Sequence, residues 1–288
     1  MINFMKTKHI LTACTIAFFA FGLASCKKTN SGTTVDEIET TFDLSSKQAV
    51  SDNLTQDDND ILDEVVTSND LSGNYTLGPV VISNVLGGCA TVTVTGNFPA
   101  KNIKIDFGTG CTNAAGVTRK GIINIVLTDS LRKSGSTATV TFSNYYINNY
   151  KKEGTITWTN TTIAGSGIPS WNRKVQNGKI TAPNGDYWLH TADINISLIA
   201  GASTPNNLTD DIYNISGTRT VTNPAGKTRT STTLTALQKK TACSNIDKGT
   251  LQVQGPNHIA VIDFGDGTCD NLATISINGS APRTILLR

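Results

Sequence analysis

Histidine is scarce in this chain, three in 288 residues, and that scarcity narrows the chemistry open to it. Nucleophilic catalysis needs a base beside the nucleophile, and the base is usually histidine. His9 lies in the N-terminal segment; His190 falls in a strand-like stretch and His258 beside a turn, where a solvated or structurally bonded ring is expected. None of the six cysteines forms a C-x-x-C pair, which makes a zinc site a poor reading. Beyond Asp70 no long helical pattern separates the apolar stretches, and a parallel crossover would need a dozen or more such residues. The uncharged run from Ile10 to Leu23 is short: at about 1.5 Å per residue it does not cross a hydrocarbon core roughly 30 Å thick.

That run is preceded by Lys6 and Lys8, the layout of a removable secretory signal over residues 1–25. It ends in Leu23-Ala24-Ser25-Cys26, which resembles the lipobox of bacterial lipoproteins. The resemblance covers the first tenth of the chain. It implies that Cys26 receives diacylglycerol, becomes the first mature residue, and holds the protein on a membrane through several acyl chains. Lys27 stands where an aspartate often signals inner-membrane retention, which favours the outer membrane. The acidic cluster that often marks surface export is missing after Cys26, which favours a periplasmic face.

The mature sequence divides by charge. Lys27 to Asp70 carries eleven acids against three bases, whereas Leu71 to Arg288 carries nineteen bases against eleven acids. Residues 26–70 begin as a polar tether without an aromatic before Phe42. From Ser46 to Thr67, Val50, Leu54, Ile61, Leu62, Val65 and Val66 recur at approximate helical spacing among acids. Either one amphipathic helix packed on the basic body or a solvated acidic stretch fits this segment.

Residues 71–288 alternate apolar and polar side chains, the period-two pattern of a sheet with one buried face. Examples are Ile103/Ile105/Phe107, Ile123/Ile125/Leu127, Ile156/Trp158, Ile194/Ile196/Leu198 and Leu251/Val253. Turn chemistry such as Asn184-Gly185 and Asn223-Pro224-Ala225-Gly226 separates them. The expected fold class is all-β: an antiparallel meander, sandwich or partly closed barrel, as one domain or as two related halves, 71–165 and 166–288. Cys89 to Cys111 and Cys243 to Cys269 frame a repeated pattern in which Ile-Asp-Phe-Gly precedes the second cysteine. Folding each segment with its cysteines opposed puts the midpoints at Ala100 and Pro256, beside or on a proline turn. Opposed antiparallel positions lie within disulfide range, so Cys89–Cys111 and Cys243–Cys269 are the expected bridges. The other two connectivities and free thiols are the alternatives.

Several motif matches fail in context. Asp106-Phe-Gly108 and Asp263-Phe-Gly265 spell a kinase triplet without the other kinase elements, and Gly226-Lys227-Thr228 sits between strands rather than before a helix. Asp263, Asp266 and Asp270 are weak calcium candidates beside the plainer reading of solvated turn acids. Glu153 and Asp193 are the least unlikely carboxylates for glycoside hydrolysis. No cofactor motif is recognised.

Five adjacent basic pairs, Arg119-Lys120, Arg132-Lys133, Lys151-Lys152, Arg173-Lys174 and Lys239-Lys240, suit solvated edges or attraction to anionic glycan or lipid headgroups. Successive turns of a meander alternate between ends, so the first three pairs are not expected to form one patch. Tyr145, Tyr146, Tyr150, Trp158, Trp171, Tyr187 and Trp188 suit either a core or a sugar-stacking surface. The chain thus resembles β-rich envelope lipoproteins with a recurring Asp-Phe-Gly…Cys strand, a resemblance that carries no activity. The expectation is a non-enzymatic binding or structural module, partnered by the membrane and an anionic glycan or envelope protein but not by nucleic acid. A surface adhesin or pilin-like subunit and an envelope glycan hydrolase are its rivals.

Overall fold

The computed structural model describes residues 34–69, 85–97 and 99–287. Cys26 and the expected signal lie outside these residues. The first element is a long helix, α1 (Val35–Ser68). Among the described residues fourteen strands follow: β1 Thr91–Thr95, β2 Lys101–Asp106, β3 Cys111–Thr112, β4 Thr118–Leu127, β5 Thr137–Ile147, β6 Tyr150–Asn160, β7 Ser170–Thr181, β8 Tyr187–Ala200, β9 Ile212–Thr222, β10 Thr228–Lys240, β11 Lys248–Gln254, β12 Ile259–Asp266, β13 Leu272–Ile277 and β14 Arg283–Leu286.

All strands belong to one antiparallel meander in chain order, with β3 sharing an edge of β4 with β2. The fold is all-β apart from α1. Residue 165 lies in the β6–β7 connection, yet β6 and β7 pair along their length, so the two halves are parts of one sheet.

The sheet bends around the helix. From β4 onward nearly every ladder contains a register shift: Lys120/Ile122 against β5, Thr141/Tyr145 against β6, Glu153/Thr155 against β7 and Val175/Gly178 against β8. Such bulges increase local twist and curl a sheet. Gly121 shows why the sequence permits them. Its φ is +86°, and a Cβ there would meet the Asn144 carbonyl oxygen at 2.0 Å, so both the conformation and the close approach require glycine.

Inside the curl runs α1, buried on every side from Leu44 almost to its end. Its N-terminus is capped by Thr34, whose hydroxyl accepts from the Glu37 N–H at 3.2 Å. The helix therefore starts well before Ser46, inside the segment read as a tether. Asp36, Glu39 and Asp43 near its start stay exposed, whereas Asp52, Asp57, Asp58, Asp60 and Glu64 are interior rather than solvated. Leu44, Leu54, Ile61, Leu62 and Val65 join Ile103, Ile125, Val140, Ile156, Ile194 and Ile262 in one continuous core.

Both expected disulfides are present, Cys89–Cys111 with Cα atoms 5.5 Å apart and Cys243–Cys269 with 5.3 Å. The register that suggested the first differs. Val94 opposes Ile103, which would place residue 108 opposite Cys89. The chain leaves the ladder at Phe107, whose N–H donates to the Gly121 carbonyl, and re-enters as β3, so Cys111 at the start of β3 meets Cys89 in the turn before β1. Replacing Cys89 and Cys111 together with serine should cost about 3 kcal/mol through the freed 22-residue loop. Urea denaturation should show the double variant no less stable than either single one if the two sulfurs are bonded to each other.

Candidate functional site: an ionic interior and an outward lysine–tyrosine row

Helix α1 carries polar side chains all round, and burying them requires partners from the surrounding strands. Arg119 of β4 grips Asp57 with Nε at 3.1 Å and Nη2 at 2.7 and 2.8 Å from the two carboxylate oxygens. Lys152 of β6 pairs with Asp58 and donates to the Leu54 carbonyl at 2.7 Å. Arg219 of β9 reaches Asp52 at 2.9 Å, and Lys239 of β10 reaches Asp60 at 2.7 Å. Arg173 of β7 instead donates to the Thr55 carbonyl and Gln56 Oε1, both at 3.3 Å, while its guanidinium lies 5.0 Å from the Trp158 ring. Near the helix start, Arg229 donates to Thr41 Oγ1 at 2.6 Å and pairs with Glu37.

Burial alters these groups in the expected direction. The Asp58 carboxyl is pushed up to about 6 by burial, against the pull of Lys152, and burial lowers Lys152 in turn. Arg173 is lowered to about 10 by burial. His190, also interior, is lowered to about 3 by burial and by the charges of Lys152 and Arg173. His258 is lowered by burial and by Arg229; its Nε2 lies 2.6 Å from Thr41 Oγ1. His258 is thus a structural partner of the helix, and His190 is a buried ring beside the interior bases Lys152 and Arg173.

One acid cluster has no lysine. The Tyr213 hydroxyl lies 2.9 Å from Asp63 Oδ2 and 3.1 Å from Asp211 Oδ2. A single phenolic hydrogen serves one carboxylate at a time. Burial raises Asp63 to about 6; burial, then the nearby Asp63 charge, raises Asp211 to about 7. A carboxyl whose folded pKa exceeds its unfolded one contributes stability that is complete below about pH 4 and is lost as pH rises through 7. Asp211→Asn should therefore match the parent protein near pH 4 and exceed it in stability at pH 8, with a shallower decline between, as read by urea denaturation across that range.

The basic pairs now divide by the strand alternation. Arg119, Lys152, Arg173 and Lys239 point inward to the helix, and Lys120, Lys151, Lys174 and Lys240 point outward. Lys120 on β4 faces Tyr146 on β5, Tyr146 faces Lys151 on β6, Lys151 faces Thr181 on β7, and Thr181 faces Tyr187 on β8. This row crosses five strands at one end of the sheet. It borders a hollow of about 420 Å³ lined by Lys120, Tyr146, Asn149, Lys151, Thr181 and Pro183 among others. The Lys120 ammonium lies 4.2 Å from the Tyr146 ring centre, and Lys179 lies 4.6 Å from that of Tyr187. Lys151 pairs with Glu153 at 3.0 Å. Two of the first three basic pairs thus do share an end, because β4 and β6 both begin there; Arg132-Lys133 lies in the β4–β5 loop at the other end.

The aromatics divide likewise. Tyr145, Trp158, Trp171 and Trp188 are buried, Tyr150 is half-buried with its ring against Trp188, and Tyr146 and Tyr187 face outward. Glu153 and Asp193 lie on the outer face with β7 between their strands, each beside a lysine, Lys151 and Lys174.

Asp263, Asp266 and Asp270 line a shallow hollow of about 230 Å³. Each commits one oxygen to a backbone N–H two residues on, of Gly265, Thr268 and Leu272. Among the described residues the cluster with metal-ligand spacing is Cys243, Asp247 and Cys269, two of which are joined in a disulfide. A further hollow, of about 390 Å³, opens above Asp57 and Asp60 between the β3–β4 turn and the β10–β11 connection. Both carboxylates there are held by Arg119 and Lys239. No family model matches the chain, and the comparisons found no similar curated protein and no similar solved structure.

Proposed function

We propose that the protein is an envelope lipoprotein anchored through Cys26 that acts by binding or as a structural module rather than by catalysis. One observation carries the second part of this reading: the space inside the curled sheet is occupied by the chain's own helix, and Asp52, Asp57, Asp58 and Asp60 of that helix are paired with Arg219, Arg119, Lys152 and Lys239. A sheet filled in this way offers its outer face and its ends to a partner. The anchoring rests on the lipobox-like Leu23-Ala24-Ser25-Cys26 after an uncharged run. The outer membrane is its proposed location, favoured by Lys27 after the lipidated cysteine, with the periplasmic face favoured by the lack of an acidic cluster directly after Cys26.

Mass spectrometry of unreduced protein from the native membrane fraction tests the anchor. The expected product begins at Cys26 with added acyl mass and partitions into detergent, and Cys26→Ser abolishes both properties. A product that keeps residues 1–25, or that stays in buffer unacylated, would overturn the reading.

A further inference from the structure

We infer that the outward row of Lys120, Tyr146, Lys151, Thr181 and Tyr187, with Lys179 beside it, is a binding site for an acidic polysaccharide, an inference that rests on the binding reading proposed above and names its ligand. The first argument is the state of the charges. Among the described residues the Lys120 and Lys179 ammonium groups lie against tyrosine rings rather than beside carboxylates. A ring orients an ammonium group but carries no net charge, so both lysines keep their charge for a ligand. Of the neighbouring acids, Glu153 is held by Lys151 at 3.0 Å, and Asp186 of the β7–β8 turn by Lys47 at 2.8 Å. The row therefore carries an excess of positive charge on the outer face.

Shape and side-chain type make the second argument. Strands β5, β6 and β7 are paired along both edges, so no free edge here accepts a peptide backbone and recognition falls to side chains. Neighbouring strands lie about 4.8 Å apart, which places the Lys120 and Lys151 backbones roughly 10 Å apart and extends the row over roughly 19 Å from β4 to β8. A ligand that meets both lysines carries repeated negative charges on an extended chain. The hollow of about 420 Å³ lies between the β5–β6 turn, at Asn149, and the β7–β8 turn, at Pro183 and Gly185. Such a trough receives a chain better than it receives the flat surface of a bilayer. Its lining sets the neutral hydrogen-bonding groups of Asn149, Thr181 and Tyr146 beside the apolar Ala182 and Pro183, and Tyr187 and Leu189 nearby expose 37% and 47% of their surface. Acidic sugars present the complementary set: hydroxyls at the ring edge, C–H groups on the ring face, and a repeated anionic group.

The test uses the whole protein purified from its host in a neutral detergent, so that binding is read whatever the processing of its N-terminus. Affinity electrophoresis compares polygalacturonate with its methyl-esterified form and dextran sulfate with dextran, so that the charged group alone changes within each pair. Retardation is expected from the acidic member of at least one pair and not from the neutral members, and raised salt should weaken it. Galacturonate monomer should compete poorly, because it engages one lysine at a time. Lys120→Ala/Lys151→Ala/Lys179→Ala should lower affinity roughly ten- to a hundredfold. A control of equal charge change, Lys133→Ala/Lys174→Ala/Lys248→Ala, should bind almost as the parent does. Glu153→Gln should tighten binding, since it releases Lys151. Near-ultraviolet circular dichroism confirms that each variant is folded. No retardation by either acidic polymer, equal loss in the control, equal retardation by polyglutamate, or tighter binding to phosphatidylglycerol vesicles would overturn the inference. That failure would leave the anchoring, read separately by mass, intact, whereas shortening of a retarded polysaccharide would overturn the non-catalytic reading and leave the site standing.

Discussion

Removal of α1, residues 35–68, should abolish cooperative unfolding of the remaining sheet. The helix contributes Leu44, Leu54, Ile61, Leu62, Val65 and Val66 to the core, each buried almost completely. At roughly 1.5–3 kcal/mol per fully buried side chain these six alone supply on the order of 10 kcal/mol, comparable with the whole net stability of a typical domain. The loss is compounded on the strand side, where Arg119, Lys152, Arg219 and Lys239 would point into the vacated interior without their carboxylates. Urea titration followed by tryptophan fluorescence provides the measurement, since Trp158, Trp171 and Trp188 are interior. A sharp transition at the parent midpoint would show that the sheet is self-sufficient and that the helix is an accessory.

The second large effect concerns a single buried pair. Lys152→Met should destabilise the protein by about 3–5 kcal/mol at neutral pH, because Asp58 would remain inside without its cation. Asp58→Leu/Lys152→Met should recover most of that loss or exceed the parent, since paired charges gain little over well-packed apolar groups. The double variant distinguishes two origins of the cost: an unpaired charge, which the second substitution removes, and a lost scaffold contact, which it would not. The pH dependence supplies an independent check. The Asp58 carboxyl, already held up near 6 by burial, must rise further when Lys152 is lost. A raised carboxyl loses its contribution as pH rises through its folded value. The single variant should therefore be penalised less at pH 5 than at pH 8, and the double variant should lose most of that difference.

Both results depend on a feature that was partly visible in the sequence. Arg173 follows Trp171 and precedes Val175 in the same strand phase, and Arg219 lies between Ile215 and Val221 in the same way. A base in the apolar phase of a strand is a buried base, and it needs a buried acid. The acid-rich segment around Asp52 to Glu64 was the complementary half of that signal. Neither half is decisive alone: charged residues in a strand also occur at solvated edges, and an acidic amphipathic stretch also suits a surface helix. The bulges hid the pattern further, since a shift changes the phase of the bulged strand, as on β7, where Arg173 and Val175 are buried before it and Gly178 and Ile180 after it.

The outward row was less legible. Lys120, Tyr146, Lys151, Thr181 and Tyr187 are spread over 68 residues of sequence, and only the pairing register of five strands makes them neighbours. The first disulfide was found from the even cysteine count and the repeat, although the ladder register used to justify it was offset by the loop between Phe107 and Cys111.

By itself the sequence determined that strands and turns alternate beyond Asp70 and that the strands pair antiparallel, because these follow from side-chain period, turn chemistry and short loops; it favoured the two cystine pairs without excluding the other connectivities, and it left the strand order open. Only the tertiary structure decided that the acidic segment passes through the sheet and that one member of each of four basic pairs faces it. Those choices depend on the curling of the open sheet around the helix, where removing charge from water is tolerated only once all the partners have been brought together.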